Sequence, residues 1–474
     1  MIRLALPAGD LRGPLGDLLR RAGLPVDDYV RGSRSYVVRS APEDGIRLRV
    51  FREKDIPIQI ALGNYDLGIC GLAWVEDLIQ RYPSDAVVPV RDLGLQQSFL
   101  YVAVAEGASG SLEGWAGRSG LRIVSEFPSL AEAFARRLRL PAYRVFPVWG
   151  AAEVYPPEDA ELAVIAAKDE DEVRGQGLMP VHRLLQCSAW LVANRDSLAG
   201  KDISAVLEPL LALGVGGNGP PALSLPVAPA VGRTRPGERS SVGREDAVRL
   251  ALPDGHQQKH TAAALAAAGL RISGYDGETA APRPRAEMPG LEVKVIRPQD
   301  MPQQVALGHF DLAISGRDWL RDHRYQFPAS PVEEVVDLGV GRYSIAAVVS
   351  EDSPARNLEE ALCRWREDGR STVRVASEYV NIADHCARSR HLPRYKVIPI
   401  SGASEGFVPE DAEVLIEGTE TGATLAANRL KVIERLFEST TCLIAHQGPV
   451  SDRRRRLQAE VVEMFRRSAA RTQA

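Results

Sequence analysis

The sequence predicts an α/β protein made of two tandem copies of one domain, and two observations support this prediction. Short motifs of the first half return in the same order in the second half. Within each half, short apolar segments alternate with helical segments. Such alternation is typical of a sheet with mostly parallel strands, whose ligands bind at the carboxyl ends of the strands. A half of about 200 residues also has room for two small lobes with a cleft between them.

The duplication is visible from the first strand candidate onward. Residues 3–7 and residues 249–253 have the same sequence, Arg-Leu-Ala-Leu-Pro. Further matches follow in the same order and pair residues 55–57 with 300–302, 63–71 with 308–316, 92–94 with 337–339, 125–127 with 377–379, 150–153 with 402–405, and 157–161 with 409–413. Matches that stay collinear along a whole half indicate a duplicated domain and not a solenoid. We expect one domain at residues 1–213, a linker rich in Gly, Pro and Ser at 214–245, and a second domain at 246–474.

The elements of the first half follow from its apolar periodicity. Short apolar runs predict buried strands, and longer segments with apolar residues at helical spacing predict helices. The strand candidates are residues 3–7, 48–51, 66–70, 98–105, 121–125 and 162–166. The helix candidates are residues 14–22, 56–62, 73–80 and 130–138.

Composition excludes several classes of function. A formal net charge of −4 argues against a nucleic-acid-binding protein, which usually has a basic excess. The five cysteines are scattered, without histidines at metal-ligand spacing, which favours a reducing compartment and argues against structural zinc. No apolar run approaches the length that spans a membrane, and the N-terminal apolar run is too short for a signal peptide. We therefore expect a cytoplasmic protein that binds neither nucleic acid nor a membrane.

One stretch of the second half has the features of an anion site. The run Val414-Leu415-Ile416 predicts a buried strand, and residues 417–424 predict a turn that leads into a helix. The amides of residues 421–425 can point at a phosphate, and the threonines at 421 and 424 add hydroxyl groups. The glycine at 422 permits close approach of the backbone. The alternative is an ordinary capped helix after a core strand.

The first half serves as an internal control for this stretch. Opposite residues 421–424 it has Asp169-Glu170-Asp171-Glu172. Four acidic residues at the start of a helix would repel a phosphate. The fold therefore does not require Thr-Gly-Ala-Thr at 421–424, and this favours a functional phosphate loop in the second half alone.

Several motifs of the second half together resemble one family. They are Arg-x-x-Asp-Met-Pro at 297–302, Gly-x-x-Asp-Leu-x-Ile-x-Gly at 308–316, Asp-Leu-Gly-x-Gly at 337–341, Ser-Gly-Ala-Ser-Glu at 401–405, Thr-Gly-x-Thr-Leu at 421–425 and Phe-Glu-Ser at 437–439. This set is similar to the ATP phosphoribosyltransferase family, which catalyses the first step of histidine biosynthesis. The resemblance covers nearly the whole second half and, more faintly, the first half up to about residue 161.

The resemblance implies a fold and a reaction. Each half would have two α/β lobes like those of type II periplasmic binding proteins, with a cleft between them. In the family's reaction, N1 of the adenine of ATP attacks C1 of 5-phosphoribosyl diphosphate and expels pyrophosphate, with Mg²⁺ present. Such a reaction needs a clamped phosphate and a neutralised diphosphate more than covalent help from the protein.

The resemblance also implies site residues by position. The 5-phosphate would be held by Thr421, Gly422, Ala423, Thr424 and Leu425. Glu417 and Glu420 would lie near the ribose hydroxyls as catalytic residues. Further substrate contacts would come from Arg297, His256, Ser401 and Gly402. For Arg297 a surface salt bridge is the alternative, and His256 stands where the family has a cation, so its imidazole could still meet a phosphate.

The departures from the family lie around the nucleotide. The family's first strand ends in Leu-Pro-Lys-Gly-Arg, whereas this chain has Leu-Pro-Ala-Gly-Asp at 6–10 and Leu-Pro-Asp-Gly-His at 252–256. After Asp-Leu-Gly-x-Gly the family commonly has Cys-Arg or Cys-Lys, and this chain has Tyr343-Ser344. The family's Asp at the ribose-facing strand end is Glu417. These changes leave ATP as the acceptor open.

We therefore expect a phosphoribosyltransferase with one competent site in the second half. The first half would be a non-catalytic pseudo-subunit that replaces the partner of the family's homodimer, and further homo-oligomers remain open. Two alternatives are transfer to a different purine or heteroaromatic acceptor, and a non-catalytic regulator or ligand-binding protein. Because both halves retain Asp66 and Asp311, and Glu126 and Glu378, these four residues are interpreted as scaffold.

Overall fold

A computed structural model describes residues 1–38, 45–108, 112–214, 216, 219–226, 235–236, 246–276, 280–368, 372–392 and 394–473. Most of the predicted linker at 214–245 lies outside these residues. Its part at 219–226 contacts the first half, where the Ser224 amide donates to the Leu184 carbonyl at 2.7 Å. The domain bounds at 213 and 246 stay a prediction.

The first half forms strands and helices in the predicted order, with additional strands. The strands are β1 Ile2–Pro7, β2 Val37–Val38, β3 Ile46–Phe51, β4 Leu67–Gly71, β5 Val87–Asp92, β6 Ser98–Ala105, β7 Arg118–Ser125, β8 Ala142–Pro147, β9 Leu162–Ala167, β10 Leu178–Cys187 and β11 Ala189–Asn194, followed by β12 Arg235–Pro236. The helices are α1 Arg12–Arg21, α2 Ile56–Ala61, α3 Leu72–Arg81, α4 Leu112–Ala116, α5 Pro128–Arg137, α6 Glu170–Gly175, α7 Arg195–Gly200 and α8 Ser204–Ala212.

The second half repeats this plan and ends in a long helix. Its strands are β13 Val248–Pro253, β14 Ile272–Tyr275, β15 Ala280–Ala286, β16 Leu291–Ile296, β17 Leu312–Gly316, β18 Val332–Asp337, β19 Tyr343–Ser350, β20 Val373–Ser377, β21 Tyr395–Pro399, β22 Val414–Thr419, β23 Leu430–Ser439 and β24 Thr441–His446. Its helices are α9 His256–Ala268, α10 Met301–Ala306, α11 Arg317–Gln326, α12 Leu358–Glu367, α13 Val380–Ser389, α14 Ala423–Ala427 and α15 Asp452–Gln473.

Each half has two lobes, and each lobe is built on one sheet. In the first half, lobe 1A has the strand order β2-β3-β1-β4-β11-β5, and lobe 1B has β10-β6-β9-β7-β12 with β8 beside β7. In the second half, lobe 2A has the order β14-β15-β16-β13-β17-β24-β18, and lobe 2B has β21-β20-β22-β19-β23. The predicted α/β fold of two tandem bilobal halves is confirmed.

The expectation of mostly parallel strands was wrong, because the sheets are mixed. The strand-helix units at the start of each half do give parallel pairs, as between β1 and β3 and between β13 and β16. The chain then returns from lobe B to lobe A, and the returning strand enters the sheet in the opposite direction. Thus β11 lies antiparallel between β4 and β5, and β24 lies antiparallel between β17 and β18.

The two halves pack on each other head to tail within the chain. Lobe 1A contacts lobe 2B, where the rings of Phe51 and Phe407 lie 4.7 Å apart and the Tyr65 hydroxyl donates to Asp411 at 2.8 Å. Lobe 1B contacts lobe 2A, where the Lys294 ammonium lies 2.7 Å from Asp159. The arrangement is a pseudo-dimer with an approximate twofold relation between the halves.

None of the helices in the described part of the chain is both long enough and apolar enough to cross a membrane.

Candidate functional site

A cavity of about 830 Å³ lies where the lobes of both halves meet. Strands β1, β3, β7 and β8 end at this cavity, and so do their second-half equivalents β13, β16, β20 and β21. Because ligands of α/β sheets bind beyond the carboxyl ends of the strands, this is where a substrate is expected. Both halves therefore contribute to one shared cavity.

The sequence-predicted residues gather at this cavity, although not all of them line it. Those that line it are Glu417, Glu420, Arg297, His256 and Ser401. The predicted phosphate loop, residues 421–425, begins α14 directly after the lining residue Glu420 and is not itself part of the wall.

The start of α14 differs from the equivalent start of α6. Gly422 caps α14 with a left-handed backbone (φ 71°), and this helix start receives no side-chain cap from the described residues. The Thr421 hydroxyl lies 3.4 Å from the Ala423 amide. In the first half, the Asp169 carboxylate accepts the Glu172 amide at 2.9 Å, and the Glu172 carboxylate accepts the Lys168 amide. The first half therefore satisfies its own helix start with a capping box, which the second half lacks.

The far end of α14 is fastened to the first half. The Asn428 side chain accepts the Tyr36 amide at 2.6 Å and donates to the Arg34 carbonyl at 2.9 Å. The same side chain donates to the Thr424 carbonyl at 2.8 Å, within the predicted phosphate loop. The buried Arg12 guanidinium holds this segment through the Ser33 and Ser35 carbonyls, at 2.9 and 2.8 Å. A first-half segment thus positions the loop of the second half, which the sequence did not predict.

Two glycines allow an arginine of one half to enter the other half. A Cβ at Gly402 (φ 111°) would lie 2.8 Å from Nε of Arg52, and a Cβ at Gly150 would lie 2.5 Å from Nε of Arg297. A side chain at either position would therefore require the arginine to move, and at Gly402 the left-handed backbone favours glycine in addition. Arg297 also forms an ion pair with Asp254. It therefore both lines the cavity, as predicted, and forms the salt bridge that was the alternative interpretation.

Two equivalent aspartates join the halves behind these arginines. Asp55 accepts the Ser401 amide and Asp300 accepts the Trp149 amide, each at 2.9 Å. Burial raises the pKa of Asp55 to about 6 and that of Asp300 to about 7. Each aspartate thereby fixes a cavity-lining residue of the opposite half.

Glu126 and Glu378, interpreted above as scaffold, face the cavity. Burial raises the pKa of Glu126 to about 6 and also raises the pKa of Glu378. Burial, followed by repulsion from Glu378 and Glu405, raises the pKa of Glu417. Glu417 accepts hydrogen bonds from the Ser404 hydroxyl and from the Gly418 amide at 2.9 Å. The retention of Glu126 and Glu378 in both halves was the signal that could have identified them.

The other retained pair has structural contacts. Asp66 accepts the Arg3 amide at 2.9 Å and the Ser197 hydroxyl at 2.7 Å. Asp311 accepts the Arg249 amide at 2.7 Å. Neither residue is among those that line the cavity.

A lysine and several aromatic rings complete the wall. The Lys54 ammonium lies 4.1 Å from the ring centre of Trp149, and burial lowers its pKa. The ring centres of Trp149 and Trp319 are 6.2 Å apart, and those of Trp319 and Tyr379 are 4.3 Å apart. At the position equivalent to Trp149 the second half has Ser401, so sequence comparison of the halves gave no sign of this aromatic group.

The cavity wall is rich in carboxyl groups. Among the residues that the structure describes, seven carboxyl groups line it: Asp10, Glu53, Glu126, Asp254, Glu378, Glu417 and Glu420. The lysine and arginine side chains of the described wall are Arg52, Lys54 and Arg297. The wall therefore offers few positive charges to an anion, and it lies next to a helix start whose N-cap residue provides no side-chain cap.

Strand ends that converge on a cleft between lobes are typical of α/β proteins that bind a small molecule there. The chain belongs to the HisG family, ATP phosphoribosyltransferase, whose model matches residues 52–212 and 297–467. The match to both halves confirms the family resemblance and the duplication.

Individual relatives agree with this family. An ATP phosphoribosyltransferase of Chlorobium phaeovibrioides is 30% identical over 232 residues, which are 48% of this chain and 72% of the relative. That of Koribacter versatilis is 31% identical over 218 residues, which are 45% of this chain and 69% of the relative.

Solved structures overlap more weakly with the chain. The ATP phosphoribosyl transferase (HisG:HisZ) complex from Thermotoga maritima has a TM-score of 0.37 at 18% identity, covering 47% of this chain and 99% of that one. The periplasmic aliphatic sulphonate binding protein SsuA from Escherichia coli has a TM-score of 0.30 at 14% identity, covering 44% of this chain and 67% of that one. The family assignment comes from the sequence matches alone.

Proposed function

We propose that this protein is a phosphoribosyltransferase that binds 5-phosphoribosyl diphosphate in the second half, with the first half as a non-catalytic pseudo-subunit. One observation carries the proposal. Within a duplicated fold of this family, the helix start at Gly422 lacks a side-chain cap, whereas the equivalent start in the first half is capped by Asp169. Of these two helix starts, the one in the second half is therefore the better site for a phosphate.

The remaining site residues suit the rest of this substrate. Glu417 and Glu420 lie at the cavity on the chain just before the loop, where the ribose hydroxyls would be. The diphosphate would face the cations Arg52, Lys54 and Arg297, and His256 lies at the same wall. With the substrate clamped at both ends, C1 of the ribose would be held for attack by a ring nitrogen.

Magnesium would enter with the diphosphate. Among the residues that the structure describes, no three His, Cys, Asp or Glu side chains are grouped so that they could hold a metal ion. Mg²⁺ is commonly bound by one or two carboxylates together with substrate phosphates, and Glu417 and Glu420 offer such carboxylates. The cation would neutralise the leaving diphosphate.

In the transfer, a bond would form between a ring nitrogen of the acceptor and C1, while the bond from C1 to the diphosphate oxygen breaks. Pyrophosphate would leave with the bonding electron pair. With ATP as acceptor the product would be N1-phosphoribosyl-ATP, in the first step of histidine biosynthesis. The first half would act through the contacts of Asn428 and Asp55, which fix parts of the second-half site.

Titration calorimetry with 5-phosphoribosyl diphosphate and Mg²⁺ tests the proposal. We expect the double variant Thr421→Asp/Thr424→Glu, which introduces the acidic residues of the first half, to weaken binding at least a hundredfold. The matched control is Asp169→Thr/Glu172→Thr, which alters the equivalent loop of the first half and should leave the affinity within twofold.

Two outcomes would change the assignment. Absence of binding to the unmodified protein would contradict the enzyme proposal. Binding without pyrophosphate release, with ATP, AMP and free purines tried as acceptors, would favour the alternative of a non-catalytic regulator. The cytoplasmic location and a further homo-oligomer remain predictions.

A further inference from the structure

We infer that the acceptor is a flat nitrogen heterocycle without phosphate groups, bound at the junction of the halves against Trp149, Trp319 and Tyr379. This inference rests on the proposed phosphoribosyl transfer and names the chemical class of its second substrate. It departs from the ATP that the family name suggests.

The charges of the cavity oppose a second polyphosphate. Among the basic side chains of the wall, Arg297 is already paired with Asp254. Arg52 and Lys54 form no direct ion pair within the described part of the chain, and both lie near the buried carboxyl groups of Asp55 and Glu378. The diphosphate of the first substrate requires these two cations. A triphosphate bound at the same time would find few remaining cations to compensate its charge.

The strand ends that open into the cavity reinforce this charge pattern. Asp10 follows β1 and Asp254 follows β13, so both strand ends carry a carboxyl group at the wall. Asp10 is exposed, and Asp254 lies beside Arg297. A phosphate chain beside either strand end would therefore lie near a carboxyl group.

Trp149 is the partly exposed ring of an aromatic group at the cavity, and it is the ring against which a flat heterocycle would stack; Trp319 and Tyr379 line the cavity but are buried. The rings of Trp149, Trp319 and Tyr379 form a continuous series, with centre distances of 6.2 and 4.3 Å. Trp149 comes from lobe 1B and Trp319 from lobe 2A, so the series exists only where the halves meet. Stacking on such rings binds a heterocycle without requiring charge on it.

The carboxyl groups beside the rings suit the edge of a heterocycle. Glu126 and Glu378 lie in the same wall. In its protonated form each can donate to a ring nitrogen, and in its ionised form each can accept from a ring N–H. When the acceptor nitrogen carries a proton, that proton would pass to one of these carboxylates as the bond to C1 forms and pyrophosphate leaves.

Calorimetry with chosen probes tests the inference. We would measure the affinities of adenine, benzimidazole and ATP for the full chain, with and without 5-phosphoribosyl diphosphate and Mg²⁺. We expect adenine or benzimidazole to bind at least tenfold more tightly than ATP. The variant Trp149→Ser, which introduces the residue of the equivalent position, should weaken the heterocycle at least tenfold. Because the Trp149 ring also contacts the Lys54 ammonium, the affinity for 5-phosphoribosyl diphosphate is measured in the same variant and should fall by a smaller factor.

A second variant addresses charge alone. Asp10→Arg replaces an exposed carboxyl group of the wall and should strengthen ATP binding at least fivefold without changing the affinity for adenine. Thermal unfolding of both variants would establish that they fold.

The outcomes separate this inference from the proposed function. It is overturned when ATP binds as tightly as either heterocycle, when neither heterocycle binds, or when a folded Trp149→Ser protein binds the heterocycle unchanged. If the heterocycle binds as expected but 5-phosphoribosyl diphosphate does not bind, the proposed transfer fails while the heterocycle site stands.

Discussion

At the scale of single residues, Asp55 and Asp300 show how the duplicated sequence is used. They occupy equivalent positions, and each accepts an amide of the opposite half at 2.9 Å. Burial disfavours their charged form, so their pKa values rise to about 6 and about 7. The same residues that hold the cavity together therefore make it sensitive to pH.

The first prediction concerns this pH dependence. The carboxyl groups of Asp55 and Asp300 bind a proton more tightly in the folded protein than in the unfolded chain. The free energy of unfolding should therefore fall as pH rises from about 4 to about 8. Each carboxyl group accounts for a loss on the order of 3 kcal/mol. In the variant Asp55→Asn/Asp300→Asn, whose amide oxygens can still accept the backbone amides, this part of the slope should disappear. Thermal unfolding across that pH range measures it.

The control for this prediction is Asp202, whose pKa is shifted downward and not upward. Hydrogen bonds from Ser204 lower the pKa of Asp202, so its contribution is lost only as pH falls below about 4. Between pH 4 and 8, the free energy of unfolding of the variant Asp202→Asn should therefore change with pH in the same way as that of the unmodified protein. Parallel curves for the double variant would show that Asp55 and Asp300 do not titrate in this range.

At the scale of elements, α14 and its attachment decide what the phosphate loop can do. The helix has five residues and could not hold its position by itself. Asn428 ties its last turn to residues 34–36 of the first half. The loop is therefore held in place by an element from the other copy of the domain.

The second prediction tests this attachment with Asn428→Ala. The change leaves the Tyr36 amide without its partner, and we expect a loss of about 1–3 kcal/mol in the free energy of unfolding. Because the loop loses its support, the dissociation constant for 5-phosphoribosyl diphosphate should rise about tenfold. Calorimetry and denaturant unfolding measure the two effects.

A matched control separates the effect of losing the loop's attachment from the effect of a general loss of protein stability. Asn357 caps α12 by accepting the Glu360 amide, away from the cavity. Asn357→Ala should cost about 0.5–2 kcal/mol of stability and leave substrate affinity unchanged. Equal losses of affinity in both variants would mean that Asn428 acts only through general stability.

At the scale of the whole molecule, the two halves are held together by charges as well as by apolar packing. The Lys294 ammonium contacts Glu158 at 3.0 Å and Asp159 at 2.7 Å, and Arg249 contacts Asp159 at 3.0 Å. Lys294 and Asp159 are only 5% and 1% exposed, so neither charge can be solvated when its partner is removed.

The third prediction is that Lys294→Met lowers the free energy of unfolding by about 3–5 kcal/mol, because it leaves a buried carboxylate with fewer partners. Adding Asp159→Asn should recover part of this loss, which denaturant unfolding of the single and double variants would measure. The exposed pair of Arg342 and Glu438 is the control, and Arg342→Met should cost no more than about 1 kcal/mol. An equal, small loss in both single variants would contradict a role for the buried charges.

Sequence patterns predicted the local elements closely and their pairing poorly. Residues 130–138 were predicted as a helix, and α5 spans Pro128–Arg137. The strand β11, with its buried Trp190, was missed, and with it the mixed character of the sheets. Apolar periodicity records that a segment is buried, but it does not record the direction in which the neighbouring strand runs.

The same limit applies to the site. Comparison of the two halves identified Thr421 and Thr424 as dispensable for folding, and it assigned Glu126 and Glu378 to the scaffold. The structure places both glutamates at the cavity, together with Lys54 and Trp149. A residue retained in both halves can serve fold and site together, and for Trp149, which is Ser401 in the other half, the sequence gave no sign of its place at the cavity.

By itself, the sequence determined the α/β class, the tandem duplication and the family, and it showed that residues 421–424 differ in chemistry from residues 169–172. These properties depend on local patterns and on the comparison of one half with the other. Only the tertiary structure decided that lobe 1A packs on lobe 2B, that both halves share one cavity, and that Trp149 meets Trp319 there. The physical reason is that the polarity of each residue indicates whether that residue is buried. The choice of packing partner depends instead on the shape and charge of surfaces that are distant in the chain.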